Sequence, residues 1–314
     1  MNVQILFRLC ATASWRRLSL KMSNSIRYTK ENKSLTQEQR MFYEKKGYLV
    51  FPRLVPQHIL DKCHKRFDDI VSGKAPRSGI TVMYDVKDRK SVNKIQDIAG
   101  DDVFCEYIKH KNVLDIVEAV TGPNIMAMHS MLIAKPPDVG FQTSKHPPHQ
   151  DLYYFPFRPV DLIVASWTAM ERCTIENGCL YVAPGTHAID RLLRHDYPPG
   201  AKPGSVNKFY HGILDLPESI NWVQLEMEPG DTVFFHPLLI HGSGVNMSQK
   251  TRRAISCHYA AAECHYIDVT QTVQNNIATE IKSHVTSISP GIEMKYEDLW
   301  RFKAKLVRGM KSSL

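Results

Sequence analysis

The stretch His146-Pro147-Pro148-His149-Gln150-Asp151-Leu152 places a histidine and a carboxylate two residues apart in what reads as a β-strand. Because successive side chains of a strand point to opposite faces, His149 and Asp151 would share one face while Gln150 points away. An imidazole and a carboxylate on one face suit a first-row divalent metal ion, and a second histidine would complete a two-histidine, one-carboxylate site with open coordination positions. A bare His-x-Asp occurs by chance in many chains, and a polar strand end is the alternative interpretation of the motif by itself.

The third ligand is expected from a later strand that crosses the same cavity. His241 follows the apolar run 232–240 and precedes a Gly-Ser-Gly turn, so its strand would end beside the metal. His236 is the alternative, but its position inside the apolar run favours a packed, hydrogen-bonded histidine. Eleven residues after His241 lies Arg252, where the next strand would return past the metal. A guanidinium there can bind a carboxylate with two parallel hydrogen bonds, although a surface ion pair is the alternative.

Length and charge restrict the class of protein. The 314 residues are long for one domain but within reach of a single β-rich one, and 43% are apolar. No run approaches the roughly 18 apolar residues of a membrane span. The net charge is +8, yet residues 1–30 hold six basic and no acidic residues, which leaves 34 basic against 32 acidic in the rest. Without a basic stripe, nucleic-acid binding is not expected.

The N-terminal segment mixes apolar residues with Arg and Ser and lacks acids, which is typical of an organellar transit peptide or a basic disordered tail. We expect residues 1–34 to be such a leader and residues 35–314 to form one domain. The C-terminal Lys311-Ser312-Ser313-Leu314 resembles the peroxisomal Ser-Lys-Leu address only weakly, because Ser stands where Lys is expected.

Seven cysteines are scattered without a C-x-x-C pair, which predicts a reduced intracellular protein with free thiols. Cys257-His258 and Cys264-His265 could be read as four zinc ligands. Adjacent residues of a strand face opposite sides, however, so core or hairpin positions are the better interpretation.

Helices come first in the chain and strands follow. A helix is predicted from the cap Thr36 to Lys46, and two amphipathic helices over 54–71 and from Asp102 to about Val120. After a strand at 48–51, β-type runs separated by turn signals are predicted at 125–134, 162–170, 179–182, 222–227, 232–235 and 253–259. This order predicts a mainly β sandwich or jelly-roll barrel with helices covering one sheet.

The set His149, Asp151, His241 and Arg252 resembles the Fe(II)/2-oxoglutarate dioxygenases. Longer segments resemble the phytanoyl-CoA dioxygenase family, and these are residues 121–129, 149–159, 177–187 and 230–244. The resemblance covers roughly residues 36–310. It implies a double-stranded β-helix in which His149, Asp151 and His241 bind ferrous iron, Fe(2+).

The resemblance also implies a co-substrate pocket. Ser243 and Arg252 would hold the distal carboxylate of 2-oxoglutarate. The segments around Lys94, Met131 and Trp167 match the rest of that pocket, although from the residues alone a solvated Lys and core Met and Trp side chains would be expected.

The implied reaction is oxidative decarboxylation of 2-oxoglutarate by O2, which releases succinate and CO2, coupled to 2-hydroxylation of phytanoyl-CoA or a related branched or long-chain acyl-CoA in fatty-acid α-oxidation. Ascorbate is a further implied cofactor. Asp151 favours hydroxylation, because related halogenases carry a small residue there. For the CoA phosphates, Lys135, Lys145 and Arg158 are candidates at the mouth of the site.

Three other functions remain open at this point: a β-helix binding protein without catalysis, a zinc hydrolase with the same ligands, and a dioxygenase of another substrate. The resemblance places the protein in peroxisomes, where an import receptor would be a partner, with mitochondria as the alternative. Arg8-Leu9 and Arg17-Leu18 lack the His or Gln that an N-terminal peroxisomal signal requires.

Overall fold

A computed structural model describes residues 26–138, 140–201, 204–217, 219–291 and 294–314. The helices within these ranges are α1 (Gln37–Lys46), α2 (Gln57–Val71), α3 (Asp102–Ile108), α4 (Lys111–Thr121), α5 (Asn275–Ile288) and α6 (Tyr296–Lys303). The strands are β1 (Tyr48–Phe51), β2 (Thr81–Tyr84), β3 (Val92–Gln96), β4 (Ile125–Lys135), β5 (His146–His149), β6 (Phe157–Arg158), β7 (Ile163–Ala169), β8 (Leu180–Val182), β9 (His195–Asp196), β10 (Gly212–Ile213), β11 (Val223–Leu225), β12 (Thr232–Phe235), β13 (His241–Ser243), β14 (Arg252–Ala261), β15 (His265–Tyr266) and β16 (Lys305–Arg308).

Two antiparallel sheets form the body of the molecule. The larger has the order β1-β12-β7-β14-β4-β3-β2, with β16 also paired to β4, and the smaller has the order β11-β8-β13-β5. Val233 and Phe235 of β12 pack with Leu180 and Val182 of the smaller sheet, whereas Phe234 joins the cluster formed by the helices. This alternation along one strand gives the larger sheet two buried faces. The architecture is the predicted mainly β fold, a double-stranded β-helix with helices covering one sheet.

Helix α1 begins and ends where the sequence predicts. The Thr36 hydroxyl accepts from the Gln39 N–H, and the Gln39 side chain accepts from the Thr36 N–H, which makes a capping box. Gly47 ends the helix at φ 78°. A Cβ at Gly47 would lie 2.5 Å from His187 Nδ1, so both the backbone conformation and the close imidazole require glycine here.

The other two predicted helices need correction in extent. Helix α2 begins at Gln57, three residues after the predicted start, and buries the predicted Ile59, Leu60, Cys63, Phe67 and Ile70. The single helix predicted after Asp102 is wrong, because α3 and α4 are separate. His110 between them has ψ 128°, an extended conformation that breaks the helical hydrogen bonds.

The first described residues pack on the fold, although the sequence placed them in a leader. Tyr28 is buried against the rings of His187 and His236. Arg27 pairs with Asp161 and Asp190, at 2.8 and 3.0 Å. Arg27 and Tyr28 of the expected leader therefore contact the domain, and residues 1–25 lie outside the described residues.

Two further expectations concern membranes and thiols. Among the described helices, none is both long and apolar enough to cross a bilayer. The six cysteines in the described ranges are all free, as predicted. Cys10 lies outside those ranges.

Candidate metal centre and anion pocket

His149, Asp151 and His241 lie together at one end of the smaller sheet. His149 ends β5, His241 begins β13, and the two residues are register partners in that antiparallel pair. Asp151 Oδ1 lies 3.3 Å from His149 Nε2 and 3.6 Å from His241 Nε2. One ligand atom from each of the three buried residues lies within 4.8 Å of the others, so the set could hold a single metal ion.

The prediction that one strand contains both His149 and Asp151 is wrong, but the two side chains still lie on the same side. β5 ends at His149, and Asp151 begins a 3-10 turn, Asp151–Tyr154. Gln150 points away from the two ligands, as expected, and its side-chain amide donates to the backbone oxygens of Arg191 and Leu238. The turn therefore brings His149 and Asp151 to one side, as an extended strand would.

The second nitrogen of each histidine fixes its tautomer. His149 Nδ1 donates to the Pro147 carbonyl at 2.8 Å, and His241 Nδ1 donates to the Leu239 carbonyl at 3.0 Å, since carbonyl oxygens only accept. Both Nε2 lone pairs are therefore available to a metal. Burial lowers the pKa of His241 to about 4, which keeps the imidazole neutral as a ligand must be.

His258, on β14, holds the other oxygen of Asp151. Its Nε2 lies 2.9 Å from Asp151 Oδ2, and both residues are buried. Burial alone would raise the pKa of Asp151, but the neighbouring His241 and His258, with the hydrogen bond from His258, hold that pKa well below its usual range. The sequence predicted only a core or hairpin position for His258, because a single histidine within a buried strand carries no sign of the carboxylate beside it.

Two buried cations lie beside the three ligands. Arg252 donates from Nη2 to the Gly178 carbonyl at 2.8 Å, while its Nε and Nη1 are buried without a hydrogen-bond partner in the described chain. Lys135 donates to the Ser144 and Gly244 carbonyls and to Ser243 Oγ. In the described ranges no carboxylate forms an ion pair with either cation. Since unpaired buried charge is costly, these residues predict a site for an anion.

The remaining predicted pocket residues line the same cavity, whose volume is about 560 Å³. Met131 lies on β4, Trp167 on β7 with its ring 5.3 Å from the Arg252 guanidinium carbon, and Ser243 ends β13. Lys94 on β3 is partly buried, with Nζ 4.8 Å from the centre of the Tyr210 ring. Burial, with the charge of Lys303, lowers the pKa of Lys94 to about 8. The structure thus brings the three predicted metal ligands and the five predicted co-substrate residues to one cavity.

None of the three cations expected at the mouth for the CoA phosphates lies there, so this expectation is wrong. Lys135 is buried, and Arg158 holds the chain by donating to the Phe155 and Phe157 carbonyls and to Gln274. Lys145 is exposed but does not line the cavity. Two exposed residues that do line it are Arg89, after β2, and Lys208.

The rival ligand His236 lies elsewhere. It is fully buried beside Tyr28 and His187, and its Nδ1 accepts from the Leu238 N–H at 3.2 Å. The interpretation of His236 as a packed, hydrogen-bonded histidine is the one that fits the structure.

Known proteins resemble this chain in sequence and in fold. Residues 43–254 match the family model described as phytanoyl-CoA dioxygenase (PhyH). The peroxisomal phytanoyl-CoA dioxygenase of Homo sapiens is 50% identical over 297 residues, which cover 91% of this chain and 87% of the relative. The probable phytanoyl-CoA dioxygenase of Caenorhabditis elegans is 49% identical over 308 residues, 91% of this chain and 97% of the relative.

Solved structures share the fold at low identity. EctD from S. alaskensis, determined with 2-oxoglutarate and 5-hydroxyectoine, has a TM-score of 0.61 at 16% identity and covers 77% of this chain and 82% of its own. The alpha-ketoglutarate-dependent carbocyclase SnoK from nogalamycin biosynthesis has a TM-score of 0.58 at 18% identity, over 83% of this chain and 95% of its own. Because the family model matches residues 43–254 and two relatives are about 50% identical over nearly their whole length, the chain belongs to the phytanoyl-CoA dioxygenase family.

Proposed function

We propose that this protein is an Fe(II)- and 2-oxoglutarate-dependent dioxygenase that hydroxylates the 2-position of phytanoyl-CoA and releases succinate and CO2. The observation that carries the proposal is the cavity itself. It joins a two-histidine, one-carboxylate set to Arg252, whose buried Nε and Nη1 lack an acceptor in the described chain. A metal site beside an unpaired guanidinium fits a metal-chelating acid with a second carboxylate.

His149 Nε2, His241 Nε2 and Asp151 Oδ1 would hold the iron. Three protein ligands leave coordination positions open for the co-substrate and O2. When bound, Fe(II) supplies the activation of O2 that couples decarboxylation of 2-oxoglutarate to hydroxylation. Asp151 occupies a ligand position with a full carboxylate, which supports hydroxylation over halide transfer.

Arg252 and Ser243 would bind the distal carboxylate of 2-oxoglutarate. Arg252 stays cationic although burial lowers its pKa, because a guanidinium does not lose its proton in proteins. Trp167 covers the guanidinium, and Met131 and Lys94 complete the wall. These side chains exclude water from the ligand and strengthen its charge interactions.

The acyl chain would lie against the apolar side of the cavity. That side is formed by residues of α5 and α6, namely Ile281, Val285, Ile288, Leu299 and Phe302. Arg89 and Lys208 at the rim are suited to the CoA phosphates. Apolar walls with a charged rim match the two ends of an acyl-CoA.

Cellular setting and reductant belong to the same proposal. Ascorbate would keep the iron ferrous between turnovers. The peroxisome is the proposed location, with an import receptor as partner and α-oxidation of fatty acids as the pathway. Support comes from the relatives of Homo sapiens, Bos taurus and Mus musculus, which are named peroxisomal.

The test is anaerobic reconstitution with Fe(II) and 2-oxoglutarate, followed by air and phytanoyl-CoA. We expect succinate and 2-hydroxyphytanoyl-CoA in equal amounts. Succinate without the hydroxylated product would support a 2-oxoglutarate-dependent dioxygenase whose substrate is another acyl-CoA. Neither product from the iron-loaded protein would contradict the proposal and favour a non-catalytic binding protein.

A further inference from the structure

Lys135 forms a buried cationic pair with Arg252. The two residues are register partners across β4 and β14, and their exposed fractions are 4% and 2%. Arg252 has a role in the proposed function, but Lys135 has none so far. A buried lysine without an acidic partner needs a reason, because its desolvation is not offset by an ion pair.

The hydrogen bonds of Lys135 determine what Ser243 can do. Lys135 Nζ lies 2.6 Å from the Ser144 carbonyl and 2.9 Å from Ser243 Oγ, and it also donates to the Gly244 carbonyl. Three acceptors match the three hydrogens of an ammonium group, which has no lone pair to accept with. Ser243 therefore receives a hydrogen bond from Lys135 and keeps its own hydrogen for another acceptor in the cavity.

Close packing fixes this arrangement. Gly178 has φ +76°, and a Cβ there would lie 2.5 Å from the Gly244 carbonyl oxygen and 3.0 Å from Lys135 Cδ. The Gly178 carbonyl accepts from Arg252. Gly178 thus contacts both cations and Gly244, so the donors on this side of the cavity are held in place before any ligand binds.

We infer that Lys135 is a positioning residue for the distal carboxylate of the 2-oxo acid, which it serves by orienting the Ser243 hydroxyl and by adding positive charge beside Arg252. The inference rests on the proposed function, since it assumes that the anion is the co-substrate. Burial and the nearby Arg252 lower the pKa of Lys135 well below its usual value. A bound carboxylate opposes this effect, because a nearby opposite charge favours the ammonium form.

The test compares two ligands under anaerobic conditions, with Fe(II) present and no turnover. 2-Oxoglutarate carries the distal carboxylate, whereas 2-oxopentanoate keeps the chelating end and lacks it. For Lys135→Met we expect the Kd of 2-oxoglutarate, measured by calorimetry, to rise about 10- to 100-fold, as loss of a charge-assisted contact predicts. The Kd of 2-oxopentanoate should not change. Lys250→Met, which removes an exposed lysine near β14, is the control, and its Kd values for both acids should equal those of the wild type.

A double variant separates orientation from folding defects. Lys135 acts partly through Ser243. In the double variant Lys135→Met, Ser243→Ala, the Kd of 2-oxoglutarate should therefore rise by less than the product of the two single-variant increases. The inference would be overturned if Lys135→Met raised the Kd of both acids equally, or raised neither. If that variant does not fold, Lys135→Gln, whose neutral amide keeps two of the three N–H donors, should weaken the binding of 2-oxoglutarate by a smaller factor and leave that of 2-oxopentanoate unchanged. A wild-type protein that binds both acids equally would instead refute the proposed co-substrate.

Discussion

At the scale of single residues, the sequence pointed to the three candidate ligands that the structure brings together, but not to the residues that surround them. His149, Asp151 and His241 could be found because two lie in a short motif and the third follows an apolar run, although in the structure His241 begins β13 and does not end β12. His258 and Lys135 could not, since their roles depend on which strands become neighbours in the folded protein. A histidine or lysine within a buried strand carries no local sign of the carboxylate or hydroxyl that it will contact.

His258 should control how tightly iron binds. Its hydrogen bond to Asp151 Oδ2 orients the carboxylate, so that Oδ1 faces the two histidines. We expect His258→Ala to weaken Fe(II) binding about 10- to 100-fold in an anaerobic titration, as for other residues that support metal ligands. His265→Ala, at an exposed position in the following strand, is the control. Unchanged iron affinity in His258→Ala would show that Asp151 needs no support.

We expect Asp151 to be required for hydroxylation itself. Asp151→Ala removes the only carboxylate of the three-residue set and should abolish 2-hydroxyphytanoyl-CoA formation. His236→Gln, by contrast, alters a buried histidine outside the set and should keep iron at wild-type stoichiometry. Iron content and product are measured on the same samples. Turnover near the wild-type rate by iron-loaded Asp151→Ala would remove Asp151 from the metal site.

At the scale of elements, the strands of the core were predictable. Helix α5 and the β2–β3 hairpin, which line the cavity, were not. The run 232–235 alternates between two buried faces and agrees with β12 at both ends. Helix α5 was missed because its Asn, Thr, Ser and Val residues favour helices weakly, and only Ile277 and Ala278 are buried. The β2–β3 hairpin lies at a sheet edge, where β2 has no buried residue to produce a clear pattern.

The start of α5 should stabilise the turn that carries Asp151. Gln274 is fully buried, and its amide nitrogen donates to the Leu152, Tyr153 and Phe155 carbonyls. Gln274→Ala would remove all three hydrogen bonds from the turn, so we expect the free energy of unfolding to fall by about 1–3 kcal/mol in urea titrations. Lys282→Ala, on an exposed face of the same helix, should change it by less than about 0.5 kcal/mol. Equal effects of the two variants would contradict this account of the turn.

At the scale of the whole molecule, buried neutral histidines make stability depend on pH. His195 accepts from the Gln150 N–H through Nε2 and donates to the Leu193 carbonyl through Nδ1, and burial lowers its pKa to about 3. Between that value and the usual value near 6.5, the unfolded chain binds more protons than the folded one. Stability contributed by His195 is therefore complete above about pH 6.5 and is lost as the pH falls.

Metal-free His195→Asn should show a shallower decline than the wild type in the free energy of unfolding between pH 6.5 and pH 4. The difference in slope should approach 1.4 kcal/mol per pH unit at most, about the value for one proton. His187, whose pKa burial lowers to about 4, contributes equally in both proteins. Parallel pH profiles would show that His195 does not remain neutral in the folded state.

In the proposed function, one cavity uses O2 to oxidise both 2-oxoglutarate and an acyl-CoA. The most direct test is a single incubation of the iron-loaded protein with 2-oxoglutarate and phytanoyl-CoA under O2 enriched in oxygen-18, analysed by mass spectrometry. We predict label in the carboxylate of succinate and in the new hydroxyl group of 2-hydroxyphytanoyl-CoA. A hydroxyl oxygen that comes from water, with unlabelled succinate, would contradict the claim.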